Sequence, residues 1–138
     1  LNYFDERLDA GRAGCSGDSE IWFRVLAAGH HIAYDPKAVV HHFHRKEMKA
    51  LQQQLFNYMR GHVVAALVQQ DHLPEMQYRR RVFRRMPRDY YNFLRAGYPK
   101  YDGRYITVFK EIRGYLAGIK FYFRNRQRPV LKYPDEQQ

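Results

Sequence analysis

The sequence has one cysteine, Cys15, and one tryptophan, Trp22, in 138 residues. A single thiol excludes an internal disulfide and any cysteine-paired zinc module, and it suits a reducing compartment. No apolar run approaches the ~20 residues that a membrane-spanning helix needs. The longest candidates, 63–68 and 116–123, are short, and Lys120 interrupts the second. No internal repeat and no apolar leader segment are present. The opening, Leu-Asn-Tyr-Phe-Asp-Glu-Arg-Leu-Asp-Ala-Gly, has no initiator methionine and reads as the interior of a longer protein.

Acidic residues are scarce in the second half. Residues 1–70 carry eight Lys/Arg against seven Asp/Glu, whereas residues 71–138 carry sixteen against seven. Nearly all of the net charge of +10 therefore lies after residue 70. A basic balance concerns partners of opposite charge and says nothing of the fold. With 45% hydrophobic and 16% aromatic residues, the chain has the means to build a core.

Residues 1–16, with the Gly/Ala-rich 9–14, read as an extended lead-in and a loop. A helix is predicted from about Asp18, capped by Ser16 or Asp18, with Glu20 in its first turn and Ile21, Val25 and Ala28 at helical spacing. Gly29 is its stop signal. Residues 30–34 and 38–42 read as two short strands around an Asp35-Pro36-Lys37 turn. A long helix follows from about Lys46, through Gly61, to about Gln70, with Met48, Leu51, Leu55, Tyr58 and Met59 on one side. An arginine-dense helical segment, 78–88, is expected to break at Pro87. A third helix runs from about Arg104 to Arg126. Its stripe of Tyr105, Val108, Phe109, Ile112, Leu116, Ile119 and Phe123 is the expected buried face.

The first half concentrates the chemistry-bearing residues. Asp18 serves equally as a helix cap or, beside a pocket holding an acidic proton, as a general base. His41, His42 and His44 would alternate along a strand, with His42 and His44 on one side. Neutral imidazoles near a carboxylate suit a divalent transition metal, and they suit a hydrogen-bonded strand end as well. Spacing alone leaves both readings open.

The pattern is broader than these residues. Phe4-Asp5-Glu6, a glycine-rich loop, Asp18-x-Glu20-Ile21-x-x-Arg24, Ala28-Gly29, Tyr34, Pro36, and Ala38-x-Val40-x-His42-x-His44-Arg45 together resemble the C-terminal half of the catalytic domain of family 2 glycosyltransferases. The resemblance covers about residues 3–68, and more loosely 109–126. It implies an α/β fold: the C-terminal portion of a GT-A (nucleotide-diphospho-sugar transferase) domain, mostly helical with two or three short strands and incomplete by itself. Residues 1–45 would belong to that domain, 46–97 to a helical extension, and 98–138 to an amphipathic basic helix with an irregular tail.

The resemblance also implies an activity, inverting transfer of a sugar from a nucleotide-sugar donor to a glycan or lipid-linked acceptor. Asp18 matches the catalytic base, and Gly17, Glu20 and Trp22 would line the acceptor site. Gly17 stands where the family commonly has a second acid, Glu. His42 matches a ligand of the divalent ion, Mn²⁺ or Mg²⁺, on the donor diphosphate, with His44 and Arg45 beside the diphosphate itself. The nucleotide-binding units and the Asp-x-Asp metal motif would lie in a missing N-terminal half, leaving this segment inactive alone. Such enzymes build bacterial cell-surface polysaccharide or glycolipid, which implies a cytoplasmic protein held peripherally at the membrane.

A different class reads the basic second half as a non-catalytic module for anionic membranes or nucleic acid. Aromatics beside Lys/Arg in 104–126 suit a lipid interface. Arginines in 79–88 suit phosphates, yet no RNP or helix-turn-helix pattern accompanies them.

Overall fold

The structure, a computed structural model, describes residues 5–8, 12–42 and 46–126. Among these, every regular element is helical. A 3₁₀ turn, Glu6–Leu8, precedes α1 (Gly17–Ala27) and α2 (Met48–His72). Then come a short α3 (Tyr78–Arg80), a π-helical turn (Arg81–Arg85), α4 (Met86–Gly97), a 3₁₀ turn (Gly103–Tyr105) and α5 (Val108–Asn125). The α/β expectation is thereby corrected: the described residues form a small all-helical fold without strands, not a strand-bearing portion of a GT-A domain.

The physical reason lies in 30–42. These residues are exposed throughout, Tyr34 to 88%. A strand exists only when a neighbour accepts and supplies its backbone hydrogen bonds. The described neighbours are helices, whose backbone groups are used internally. The turn between the expected strands does form: the Lys37 N–H donates to Asp35 Oδ1 at 2.9 Å, and the Ala38 N–H to the Asp35 carbonyl at 3.2 Å.

α2 is the centre. Residues 63–68, Val-Val-Ala-Ala-Leu-Val, are buried on all sides, as a helix apolar all round its circumference must be. α5 runs parallel to α2 along its length. Gly114 faces Phe56 and Met59, Gly118 faces Arg60 and Val63, and the Tyr122 hydroxyl donates to Asp71 Oδ2 at 2.5 Å. The intervening α3, π turn and α4 run back alongside them, so that the Tyr115 hydroxyl donates to the Val82 carbonyl at 3.0 Å.

Two glycines four residues apart explain this packing. A Cβ at Gly118 would lie 2.7 Å from the Arg60 carbonyl oxygen, and one at Gly114 would collide with that of Phe56. Only bare backbone allows the helices so close. Gly61, which costs α2 intrinsic stability, has the same use: a Cβ there would be 2.5 Å from Cys15 Sγ.

The expected buried stripe of α5 is therefore rotated. Gly114, Tyr115, Gly118 and Tyr122 face inward with Val108, while Phe109, Leu116 and Phe123 are each 57% exposed. Pro87 does not break the chain either. The backbone shifts to π bonding over Arg81–Arg85, and Pro87 falls in the first turn of α4, where a missing N–H is tolerated.

The turn between α2 and α3 is organised by Gln70, which is buried. Its Nε2 donates to the Pro74 carbonyl at 2.5 Å, and its Oε1 accepts from the Tyr78 N–H at 2.8 Å. No helix among the described residues is long and apolar enough to cross a membrane.

Candidate functional site

α1 carries the acids. Ser16 precedes it in the left-handed region (φ 79°), and its carbonyl accepts the Glu20 N–H at 3.0 Å. Its hydroxyl does not cap the helix but lies 3.3 Å from Cys15 Sγ. The helix ends as its glycine indicates. Gly29 has φ 81°, the His30 N–H reaches back to the Val25 carbonyl at 3.1 Å, and the Gly29 N–H to that of Leu26 at 3.0 Å. This paired closure takes up carbonyls that would otherwise lack partners.

Between these ends the two acids part company. Glu20 has 0% exposure, and Arg24, one turn on, holds both of its oxygens through Nε at 2.5 Å and Nη2 at 3.0 Å. His72 Nε2, from the end of α2, stands 3.9 Å from the same carboxylate. Asp18 is exposed, and its Oδ1 accepts the Ser19 N–H at 2.7 Å. A sheltered carboxylate in a two-point ion pair is committed to structure, whereas an exposed one in the first turn can meet a solute.

A cavity of about 230 Å³, reached by no sequence motif, lies between the start of α1 and α2, and Asp18 is not among its lining residues. Ser16 and Ser19, which bracket Asp18 in the chain, form one wall; His62, Ala65, Ala66 and Gln69 of α2, with Tyr78 and Arg81, form the rest. His62 is exposed on α2, yet partial desolvation of its ring beside the cavity, with the nearby Arg81 charge, holds the imidazole below its ordinary range. His62, Tyr78 and Arg81 converge only because α2 and the α3 segment fold against α1. Their sole sequence trace was an arginine run.

The other expected site residues are not gathered here. Gly17 opens α1 and is half-buried, and Trp22 is 53% exposed on its surface. Glu20 faces the interior. His42 and its neighbour His41 lie exposed in the irregular segment after α1. His44 and Arg45 fall outside the described residues. Among the described residues, no group of three or more His, Cys, Asp or Glu side chains is placed to hold a metal ion. Among the described residues, His42 therefore contributes a single imidazole.

A second cavity, about 400 Å³, lies between α4 and α5 and is lined by Met86, Asp89, Tyr90, Phe93, Val108 and Glu111. Burial, with the Glu111 carboxylate beside it, pushes the Tyr90 hydroxyl far above its usual range. The Thr107 hydroxyl donates to Glu111 at 2.7 Å. Both acids of this cavity thus belong to the α4–α5 contact region, apart from α1.

Comparison of the chain with protein-family models, with curated proteins and with solved structures gives no match in any of the three.

Proposed function

We propose that this chain is a segment of a glycosyltransferase and that Asp18 is its general base. The carrying observation is the division between the two acids of α1. Glu20 is locked inward by Arg24, while Asp18 stands exposed at the helix start, in the chain between Ser16 and Ser19, which line a cavity. The Asp-x-Glu-aliphatic-x-x-Arg pattern acquires a physical sense from this division: the Glu and Arg hold the helix, and the Asp is left for chemistry.

In the proposed step, the acceptor hydroxyl attacks the anomeric carbon of the nucleotide sugar. The Asp18 carboxylate takes the hydroxyl proton as the new C–O bond forms. The bond to the nucleoside diphosphate breaks, and that group leaves with the electron pair. An alcohol is a poor nucleophile until its proton is removed during attack, which is why a positioned carboxylate matters. A divalent ion on the donor diphosphate, with His42 as one ligand, would need its remaining ligands from outside the described residues. The same reading has a glycan or lipid-linked acceptor and places the protein on the cytoplasmic face of a membrane.

The test uses the complete natural polypeptide containing this segment, a nucleotide-sugar donor and Mn²⁺. Asp18→Asn is expected to abolish transfer while leaving donor binding largely intact. Retained turnover in that variant would refute the assignment. The 138-residue chain alone is expected to transfer no sugar.

A further inference from the structure

The outward face of α5 is unlike an ordinary solvent face. Phe109, Leu116 and Phe123 follow one another at seven-residue intervals, which places them in a line along the helix, and each is 57% exposed. Arg113 and Lys120, also seven apart, and then Arg124 form a second line directly beside it, all three exposed. The only acid of α5, Glu111, is half-buried and turned away to Thr107. From the adjoining π turn, the Phe83 ring comes within 6.4 Å of the Phe123 ring and is itself 42% exposed. Exposed Arg84 follows Phe83 in the chain, and exposed Arg80 stands three residues before it.

We propose that this face, Phe109, Leu116, Phe123 and Phe83 with the Arg113–Lys120–Arg124 line, seats on an anionic lipid surface. The apolar line would enter the boundary between headgroups and acyl chains, and the cations would meet lipid phosphates. Charge complementarity selects this occupant over a second copy of the chain, whose identical basic line would face its own charge. The aliphatic Leu116 at the centre selects it over nucleic acid, where a stacking ring would be expected instead. Close packing at Gly114 and Gly118 turns the opposite face of α5 inward and so leaves this one outward. The proposal uses no residue of α1, so it can fail without the sugar-transfer reading failing, and the reverse also holds.

The test places a reporter at the centre of the face. Leu116→Trp in a Trp22→Phe background gives one indole, and the chain is mixed with vesicles containing phosphatidylglycerol or made of phosphatidylcholine alone. A blue-shifted emission is expected with the anionic vesicles and not with the neutral ones, together with flotation of the unaltered chain on the anionic vesicles. Combining Arg113→Gln, Lys120→Gln and Arg124→Gln should weaken partitioning by about a hundredfold at low salt. Combining Phe109→Ser, Leu116→Ser and Phe123→Ser should remove the bound state, with circular dichroism confirming that the helices persist. Three results would each overturn the proposal: no flotation even at low salt, a solvent-exposed indole on bound protein, or single-stranded RNA shifting the emission more than anionic vesicles do. A dimer in sedimentation that Leu116→Asp dissolves would also overturn it.

Discussion

Arg24 holds both carboxylate oxygens of Glu20 from one helical turn away, and Glu20 is fully withdrawn from solvent. That pair fixes which acid of α1 is structural. Glu20→Gln leaves the Arg24 guanidinium, itself only 16% exposed, without its carboxylate. Breaking such a pair from one side is expected to cost about 3 kcal/mol, since the remaining charge stays sheltered. Asp18→Asn, by contrast, should change stability by no more than about 0.5 kcal/mol. Urea unfolding of both variants checks the contrast.

The glycine contacts of α5 give a second expectation. Gly118→Val forces a branched side chain against the Arg60 carbonyl and Val63. It should push α5 away from α2 and cost about 3 kcal/mol or more, at the upper end for an overpacked core. Leu116→Ser, on the same helix but facing out, should leave the thermal midpoint nearly unchanged. Equal losses for the two would mean that the face of α5 is wrongly assigned.

Gln70 offers a third. Its side-chain amide joins the Pro74 carbonyl to the Tyr78 N–H and holds the α2–α3 turn. Gln70→Leu keeps the bulk and removes these bonds, leaving sheltered backbone groups unmatched. A loss of about 2 kcal/mol is expected by chemical denaturation. Faster amide exchange at Tyr78 and Arg79 should accompany it.

Acid sensitivity follows from two groups with lowered pKa values. The His62 value lies below the ordinary 6.5, because of partial desolvation of its ring and the Arg81 charge. The unfolded chain therefore takes up that proton first, and stability should begin to fall as pH drops through about 6.5. Burial alone would raise the Asp5 carboxyl, but its Arg7 bonds outweigh burial and hold it below 3.8. Its contribution is present above that pH and is lost as the pH falls through the lowered value. Melting temperatures across pH should show the first loss flattened in His62→Gln and the second flattened in Asp5→Asn.

The sequence and the fold agree where information is local. Periodicity and Gly29 located α1, and the spacing from Met48 onward located α2, because a helix makes its backbone bonds within itself. The segment 30–42 has strand-like composition, but a strand needs a partner that composition cannot supply. Ranking residues by hydrophobicity turned α5 the wrong way, since Phe109, Leu116 and Phe123 outscore the glycines that make the closest contact. The acid pair at 18 and 20 was legible as a pattern, whereas the burial of Glu20 depends on α2. His62, Tyr78 and Arg81 meet only through tertiary packing, so the arginine run was the one local trace of their cavity.

The most direct measurement is sugar transfer by the complete natural polypeptide carrying Asp18→Asn, compared with the unaltered protein at matched folded fraction. The account predicts that turnover is lost while donor affinity and the melting temperature stay close to those of the unaltered protein. Turnover within a few-fold of the unaltered protein would contradict it and return Asp18 to the role of an exposed first-turn carboxylate.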